Sequence, residues 1–342
     1  MYAPAAIPDY DALRSCWHPV GHSSEVGKSP HRTQLLNEQL VIWRDSAGTP
    51  HAMADLCIHR GTALSIGEVV GDEIMCPYHG WRYGTDGACT AIPQLEDPTS
   101  KIPTKARIPS YHCQERYGLI WVAFEEPRWP IPEVPEVEDD AFTVIHAGPY
   151  PWAADASRQL ENFTDFGHFS WVHPGLLGDP DRPVVGRYTV NVDDHVLRYE
   201  VTRPEARRHD EFPVFANEQL EAPERRSRYE LHLPYTIVMR HDWGGKENSA
   251  YIFASQPVHN NLSRGFLVVA RNYAHDQDPE MVRKFEDTIF GQDKRIVETQ
   301  RPEHVPFDLA DELHLSFDMV AVNYRKVMRE HGLAKKTDPV LS

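Results

Sequence analysis

The sequence predicts an α+β protein of two domains, because short strand signals fill its first third and long helical patterns appear only beyond it. Residues 10–125 are rich in short strand patterns separated by turns, which predicts a small all-β domain. Prolines crowd residues 125–135 and predict a linker. The length of 342 residues also suits two domains. We therefore divide the chain into residues 1–128 and residues 129–342.

The second domain is expected to contain an antiparallel sheet that packs against a long helix. Alternating apolar residues predict strands at 184–192, 196–202, 228–240, 250–256 and 265–272. Asp278-Pro279 predicts the start of the long helix, because Asp is a favoured N-cap and Pro suits the first helical position. Residues 203–227 are charged and weakly patterned, which predicts a surface loop, with a mobile cover over a pocket as the alternative.

Composition excludes several classes of function. The net charge of −16 argues against a nucleic-acid partner, because phosphate binding requires a basic surface. No signal-peptide pattern and no long apolar run is present, so we expect no membrane association. The five cysteines lack the spacing of a disulfide framework, which predicts a reducing, cytoplasmic location.

Four candidate ligands follow the pattern C-x-H-x16-C-x2-H, formed by Cys57, His59, Cys76 and His79. Each half supplies one thiolate and one imidazole from a short turn. Two thiolates and two imidazoles are the ligands of a Rieske-type [2Fe–2S] cluster, and the glycines that follow each pair would let backbone N–H groups approach the sulfides. A structural zinc site would use the same four atoms. Four unrelated buried residues are the remaining alternative.

A second candidate site lies around Asn162. Asn162, Asp165 and His168 recur every three residues, which places them near one face of a predicted helix, and His173 follows close to the helix end. Two histidines and one carboxylate form the facial triad of mononuclear Fe(II) oxygenases. His168 and His173 are therefore candidate metal ligands, and Asp165 and Asn162 are candidate catalytic residues. A pair of hydrogen-bonded core histidines is the alternative.

The carboxylate of that triad is predicted at Asp293, on the long helix. One apolar stripe of the helix contains Phe285, Ile289, Asp293, Ile296 and Val297. A carboxylate in such a stripe needs a cation, because an unpaired buried charge is costly. The cation is a metal ion or, as the alternative, an arginine. Glu286 and Asp287 lie off the stripe and are expected to face solvent.

With both motifs, the chain resembles the Rieske-type non-haem iron oxygenases. The bacterial methylxanthine N-demethylases and the hydroxylases that tailor saxitoxin-type alkaloids are the most similar members. The resemblance is carried by residues 35–41, 57–83, 115–121 and 161–166. It implies a Rieske [2Fe–2S] domain and a helix-grip-like catalytic domain. It also implies cluster ligands Cys57, His59, Cys76 and His79, iron ligands His168, His173 and Asp293, and a bridging Asp165.

The resemblance further implies a terminal oxygenase component that uses O2 as co-substrate. No G-x-G-x-x-G motif is present, so NAD(P)H would act through a separate flavin- or ferredoxin-type reductase. Such members are homotrimers in which the cluster of one subunit faces the mononuclear iron of its neighbour. We expect monooxygenation of a small aromatic or heteroaromatic compound, with N- or O-demethylation favoured. Ring dihydroxylation and C–H hydroxylation are alternatives, and an electron-transfer protein with a Rieske cluster alone is an alternative of another class.

The substrate pocket is predicted to be apolar and aromatic, which suits a flat ring. The candidate walls are Phe163, Phe166, Phe169, Trp171, Tyr235, Ile237, Met239 and Phe253. An ordinary hydrophobic core is the alternative for any one of them.

Overall fold

The computed structural model describes residues 6–204, 224–242 and 246–336, and the chain forms two compact units. The N-terminal unit is Arg14–Ile131, and the C-terminal unit is Pro132–Ser342 together with the residues that precede Arg14. The first elements, β1 (Ala6–Pro8) and α1 (Tyr10–Leu13), belong to the C-terminal unit because β1 pairs with the last strand, β19 (Ala334–Lys336). The domain boundary at residue 128 stays a prediction. The compact units differ from the predicted domains at the N-terminus, because the residues before Arg14 belong to the C-terminal unit.

The N-terminal unit consists of two antiparallel sheets. Its strands are β2 (His18–His22), β3 (His31–Leu35), β4 (Glu38–Arg44), β5 (Pro50–Ala54), β6 (Glu68–Val70), β7 (Glu73–Met75), β8 (Arg82–Tyr83), β9 (Cys89–Ala91), β10 (Ser110–Arg116) and β11 (Leu119–Ala123). The order β2-β11-β10-β5-β4-β3 forms one sheet and β6-β7-β8-β9 the other. Two-residue turns at Leu36-Asn37 and Tyr117-Gly118 have positive φ at both positions, as tight antiparallel hairpins require.

The core of the N-terminal unit contains the two predicted cysteine ligands. Cys57 and Cys76 pack in one buried cluster with Trp43, Leu64 and Tyr83. A cysteine in such a setting is shielded from solvent and from exchange with external thiols. The fold therefore places the sulfur atoms inside the unit.

The C-terminal unit is a seven-stranded antiparallel sheet with helices. Its remaining elements are β12 (Thr143–Trp152), α2 (Ala156–Thr164), α3 (Phe169–Val172), β13 (Val190–Asp193), β14 (Val196–Pro204), β15 (Glu224–His232), β16 (Thr236–Asp242), β17 (Asn248–His259), β18 (Leu262–Arg271), α4 (Pro279–Val297) and α5 (Met319–Glu330). The strand order is β12-β18-β17-β16-β15-β14-β13. Both α2 and α4 contact this sheet and one another. The predicted α+β class and sheet-and-long-helix architecture are confirmed.

Several predicted boundaries differ from the observed ones. The strand predicted at 184–192 begins only at Val190, and the one predicted at 228–240 is divided between β15 and β16. Pro234 lies between these two strands, where its missing N–H costs no sheet hydrogen bond. The ends of the loop predicted at 203–227 are strand residues, and its positions 205–223 lie outside the described residues.

Helix α4 begins as predicted. The Asp278 carboxylate accepts a hydrogen bond from the backbone N–H of Glu280 at 2.9 Å, and Pro279 occupies the first helical position. This cap satisfies one of the N–H groups that a helix leaves unpaired at its start. Within the described ranges, no helix is long and apolar enough to cross a membrane.

A buried ion-pair network fixes α2 against α5. Arg325, which is 1% exposed, donates to both carboxylate oxygens of Glu161, with Nη2 to Oε1 at 2.8 Å. The same guanidinium reaches Glu312 at 2.6 Å. Removing one partner of a buried ion pair lowers stability, because the other charge remains buried without compensation. The helix that leads into the candidate iron site is thereby held in place.

Candidate active site and metal centres

The four predicted cluster ligands lie on two loops that turn in the same way. Gly61 donates its backbone N–H to the carbonyl of Cys57 at 2.9 Å, and Gly80 does the same to Cys76 at 2.9 Å. Both glycines have φ of 71°, in the left-handed region where a side chain would be strained. The sequence Cys-x-His-x-Gly and Cys-x-x-His-Gly therefore encodes two tight turns that each present a cysteine and a histidine.

The sulfur and nitrogen ligands occupy different environments. Cys57 and Cys76 are 2% and 1% exposed, whereas His59 and His79 are only partly buried. The two histidine Nδ1 atoms lie 3.1 Å apart, so both can bind the same ion. The His59 ring is held in that orientation by stacking on Trp81, with ring centroids 4.4 Å apart. The imidazole pair thus lies on the outer side of the thiol pair.

The separation of the two pairs argues against zinc. In a tetrahedral zinc site with bonds of about 2.0–2.3 Å, all four ligand atoms lie roughly 3.3–3.8 Å from one another. Among the described residues, the group of His, Cys, Asp and Glu side chains close enough to hold one ion does not include these four ligands, although the two Nδ1 atoms are close. Two metal ions, one for each pair, fit this arrangement. Burial and then the neighbouring Cys57 raise the pKa of the Cys76 thiol, so thiolates here need a cation.

Side chains around the loops hold the candidate cluster ligands. The Tyr83 hydroxyl lies 3.1 Å from Cys57 Sγ. Gln94 donates to the His79 carbonyl at 2.7 Å and accepts from the Trp81 indole N–H at 3.2 Å. Neither Tyr83 nor Gln94 was predicted from the sequence to lie at this site. Only folding shows that β8 and the segment after β9 return to the loops.

The three predicted iron ligands come together in the C-terminal unit. His168, His173 and Asp293 each offer a ligand atom, and these atoms lie within 4.8 Å of one another. Asp293 Oδ1 is 2.9 Å from His173 Nε2 and 3.4 Å from His168 Nε2. The donor set of two imidazoles and one carboxylate matches a facial triad.

The local structure around these histidines differs from the prediction. Asn162, Asp165 and His168 do not share one helix face, because α2 ends at Thr164 and Asp165 is extended. The Asp165 carboxylate accepts from the backbone N–H of Gly167 at 2.7 Å, a local turn that competes with helix continuation. His168 then begins the short α3 and His173 ends it. A three-residue spacing cannot reveal such a break.

Unpaired ring nitrogens support a metal at this triad. His168 Nδ1, His168 Nε2 and His173 Nε2 are buried and make no hydrogen bond among the described residues. The alternative of hydrogen-bonded core histidines would leave these three nitrogens unsatisfied, although His173 Nδ1 has a partner in Gln292. Among the described residues, the ion-pair partners of Asp293 are these two histidines and no arginine. Buried imidazole nitrogens without partners suit a divalent cation.

Three further side chains surround the triad. Gln292 Oε1 lies 2.7 Å from His173 Nδ1 and orients the ring so that Nε2 faces Asp293. Asn162 Nδ2 is 3.4 Å from Asp293 Oδ1. Asp165 Oδ2 is 3.6 Å from His168 Nδ1, beyond hydrogen-bond length. The sequence analysis gave Gln292 no role, although its position beside Asp293 was a usable signal.

The electrostatics of the triad favour a bound positive charge. Burial alone lowers the pKa of His168, but Asp165 and Asp293 outweigh it and raise that pKa to about 9. Burial alone raises the pKa of Asp293, but the two histidines outweigh it and hold that pKa below its usual value. The site therefore attracts a proton or a metal cation strongly.

A cavity adjoins the triad, and its lining includes all three candidate ligands, His168, His173 and Asp293. Of the predicted walls, Phe163, Phe169 and Met239 line it. Five predicted wall residues do not line it: Phe166, Trp171, Tyr235, Ile237 and Phe253. Trp171 is 67% exposed, and Phe253 lies behind Phe163, with which it stacks at 4.5 Å. Tyr235 precedes β16, so strand alternation could not place it.

The cavity also contains polar residues that the sequence analysis missed, namely Arg203, Arg225, His241 and Glu286. Glu286 was predicted to face solvent, and that prediction is wrong, because it is 7% exposed. Asp287 is exposed as predicted and accepts from the Tyr150 hydroxyl at 2.9 Å. Glu286 lies two helical turns before Asp293, a spacing that could have revealed the shared face.

Comparison with known proteins covers both units. A family model described as the Rieske [2Fe-2S] domain matches residues 16–112, and one described as the vanillate O-demethylase oxygenase C-terminal domain matches residues 152–334. The methylxanthine N1-demethylase of Pseudomonas putida is 36% identical over 337 residues, covering 95% of this chain and 90% of that protein. The methylxanthine N3-demethylase of the same species is 32% identical over 96% of this chain and 92% of that protein.

The fold has the same relatives. The solved structure of Pseudomonas putida CBB5 NdmA with caffeine superimposes with a TM-score of 0.83 at 31% identity, covering 97% of this chain and 99% of that one. Similarity therefore extends over nearly the whole chain and includes both candidate metal centres.

Proposed function

The chain belongs to the Rieske-type non-haem iron oxygenases, and we propose that it removes an N- or O-methyl group from a small aromatic or heteroaromatic compound. The observation that carries this proposal is the largely apolar cavity beside His168, His173 and Asp293. The similarity to two methylxanthine N-demethylases supports a heteroaromatic substrate. Family models match both a Rieske domain and an oxygenase C-terminal domain, which argues against a Rieske electron-transfer protein that contains only the cluster.

We assign the ligands as follows. Cys57 and Cys76 hold one iron of the cluster, and His59 and His79 hold the other. His168, His173 and Asp293 hold a mononuclear Fe(II). When bound, these groups supply single-electron transfer and activation of O2.

The protein itself contributes binding, orientation and shielding. Gln292 fixes the His173 ring so that its Nε2 atom remains available to the metal. Phe163, Phe169 and Phe290 give the cavity flat apolar walls that pack on a ring and exclude water. The methyl group to be oxidised lies toward the triad in this arrangement, with the rest of the ring in the cavity.

Asp165 is proposed to connect subunits of a homotrimer. Its side chain is 45% exposed, so part of it is accessible to another copy of the chain. It would accept a hydrogen bond from His79 of the partner subunit, whose own Nδ1 is directed at His59. Asp165 would then lie between an electron-delivering imidazole and the iron ligand His168.

The electron supply is proposed to be external. Several relatives are named as components of multicomponent systems, including the toluene-4-sulfonate monooxygenase system iron-sulfur subunit of Comamonas testosteroni. A separate flavin- or ferredoxin-type reductase would pass electrons from NAD(P)H to the cluster. The cytoplasmic location expected from the cysteines stays a prediction.

The proposed reaction is balanced as a monooxygenation. O2, two electrons and two protons convert a methyl group to a hydroxymethyl group and release water. The hydroxymethyl adduct on nitrogen or oxygen then breaks to formaldehyde and a free N–H or O–H. Hydroxylation without methyl loss and ring dihydroxylation are the competing outcomes for the same metal centres.

The test is a substrate screen with the iron-loaded protein, a surrogate reductase and NAD(P)H. Methylxanthines and methoxybenzoates are offered, and O2 uptake and formaldehyde are measured together. We expect formaldehyde release in step with O2 uptake for at least one compound, and none with His168→Ala. A cis-diol that contains both atoms of O2, formed without formaldehyde, would refute demethylation and leave the oxygenase class intact.

A further inference from the structure

Glu286 is a buried carboxyl group on the wall of the catalytic cavity, and the described residues provide it with no hydrogen-bond or ion-pair partner. It is 7% exposed, and its carboxyl makes no hydrogen bond or ion pair with the described residues. Burial is the main influence on it and raises its pKa to about 8, which Arg225 opposes and Asp287 reinforces. Buried acids are nearly always paired, so an unpaired one in a binding cavity indicates a group reserved for a ligand.

The other polar groups of the cavity are already engaged. His241 Nδ1 lies 2.8 Å from the Ser227 hydroxyl, and Arg203 donates to the Leu177 carbonyl at 2.9 Å. Asp293 is occupied by the two histidines of the triad. Among the described residues that line the cavity, Glu286 is therefore the acid that remains for a bound molecule.

The position of Glu286 suits the far end of a ring. It precedes Asp293 by two turns of α4, and both residues line the same cavity. A helix rises about 1.5 Å per residue, so the two Cα atoms are roughly 10 Å apart. A bicyclic ring whose methyl group lies at the triad can place its opposite edge at Glu286. Between the two acids the helix presents Ile289 and Phe290, which contact the body of the ring.

We propose that Glu286 selects the substrate by binding a lactam- or imide-type edge, an N–H group beside a carbonyl, on the side of the ring opposite to the oxidised methyl group. This inference rests on the proposed demethylation and names its substrate class. A carboxylic acid offers one donor and one acceptor side by side, which complements a carbonyl and an adjacent N–H. A ring that is N-methylated at that edge lacks the donor and places a methyl group against the carboxyl, which leaves a buried polar group unsatisfied.

A structural role for Glu286 as the counter-charge of Arg225 fits less well. Both residues are buried, yet they form no ion pair within 4.0 Å, although Arg225 influences the Glu286 carboxyl at longer range. An unpaired buried acid lowers stability and is retained where function requires it.

Theobromine and caffeine form a matched pair of probes. Theobromine carries an imide N–H between two carbonyl groups, and caffeine carries N–CH3 at the same position. Binding to the iron-loaded protein is measured anaerobically by isothermal titration calorimetry, so that no turnover occurs. We expect the wild type to bind theobromine roughly tenfold or more tightly than caffeine. Glu286→Leu should abolish this ratio, and Glu286→Gln, which keeps a donor and an acceptor, should preserve a preference of the same sign.

Glu280→Gln is the control, because Glu280 is an exposed acid on the same helix and should leave the ratio unchanged. The ratio between two ligands in one variant does not depend on the fraction of folded protein, so a smaller folded fraction cannot imitate the result. A wild type that binds both compounds equally, or binds neither, would overturn the assignment, as would an unchanged ratio in Glu286→Leu. The expected binding ratios without formaldehyde release would reject demethylation and leave Glu286 as the selecting residue. Formaldehyde release with an unchanged ratio in Glu286→Leu would support demethylation and reject Glu286 as the selecting residue.

Discussion

The candidate cluster site and the candidate iron site are assembled in opposite ways. The cluster ligands come from two neighbouring loops, Cys57–His59 and Cys76–His79, whose turns are closed by their own backbone hydrogen bonds. The iron ligands come from both ends of α3 and from α4, more than a hundred residues further along the chain. The first site depends on local turn geometry, and the second depends on how helices pack on a sheet.

The surroundings of the two sites differ in the same sense. At the cluster site the sulfur atoms are buried and the imidazoles lie nearer the surface, beside exposed Leu56, Ile58 and Tyr78. The imidazoles are therefore the candidate ligands that are more accessible from the surface. At the iron site His173 is fully buried and a cavity lies alongside. One centre is suited to exchange with partners, and the other is suited to chemistry away from water.

The largest effect is expected from Asp293→Ala. Loss of one of three ligands should release the mononuclear iron and lower turnover by at least about a thousandfold, because the remaining histidines hold a metal weakly. The Rieske EPR signal should be unchanged, since its ligands lie in the other unit. Iron content and EPR after anaerobic reduction measure both. Asp287→Asn, an exposed acid on the same helix, is the control, and full iron with full turnover in Asp293→Ala would place the ligand elsewhere.

The next largest effect is expected from the ion pairs between α2 and α5, which hold the helix that leads into the candidate iron site. Arg325→Met should destabilise the C-terminal unit by about 1.5–3 kcal/mol, because Glu161 and Glu312 would lose one of their two cations and keep only Arg158. Thermal unfolding followed by circular dichroism should show this loss, while the visible spectrum of the cluster persists to its usual temperature. Lys326→Ala, the adjacent and exposed residue, should change little. Simultaneous loss of the cluster spectrum in Arg325→Met would contradict the independence of the two sites.

A third change tests the imidazole pair. His79→Cys should lower the reduction potential of the cluster by on the order of 100 mV or more, because a thiolate donates more charge than a neutral imidazole. Redox titration followed by EPR gives the potential. His112→Cys, on a strand of the same unit, controls for an added thiol. An unchanged potential would mean that His79 is not a cluster ligand.

A smaller effect is expected from Gln292→Leu. The variant removes the acceptor at 2.7 Å from His173 Nδ1 but keeps all three ligands. Affinity for Fe(II) should fall roughly 10- to 100-fold, the usual cost of losing the group that orients a ligating histidine. Competition with a chelator measures that affinity, and Lys294→Ala serves as the neighbouring control. Gln292→Glu should retain the affinity, because it retains the acceptor.

The same contrast explains what the sequence could predict. The cluster loops are local, so the spacing of Cys57, His59, Cys76 and His79 with the following glycines was sufficient. Asp293 was recognisable as a carboxylate in an apolar stripe. The end of α2 before Asp165 could not be predicted, because residue spacing does not show that the Asp165 side chain accepts a hydrogen bond from the backbone of Gly167.

Glu286 was missed for a different reason. The stripe through Phe285, Ile289 and Asp293 is narrower than the face of α4 that the fold covers, which also includes Val282 and Phe290. The width of a buried helix face is set by the sheet that packs on it, and the helix sequence alone does not contain that information. The prediction of the cavity walls was partly wrong for a similar reason, because the wall residues depend on where strands end and on the position of α3.

The smallest expected effect follows from this misplaced acid. The pKa of Glu286 is raised to about 8 in the folded protein, from an ordinary value of 4.5, mainly by burial. Between these values the folded state holds a proton that the unfolded state has released, so the contribution of Glu286 to stability is greatest below about pH 4.5 and falls as the pH rises toward 8. The slope is at most about 1.4 kcal/mol per pH unit. Thermal unfolding of the wild type and Glu286→Gln at pH 6 and pH 7 should therefore differ by about 1 kcal/mol in pH dependence, with the wild type losing more. Arg225 and Asp287, the charged groups that act on this carboxyl, are unchanged in the comparison, so equal slopes would mean that Glu286 is ionised in the folded protein.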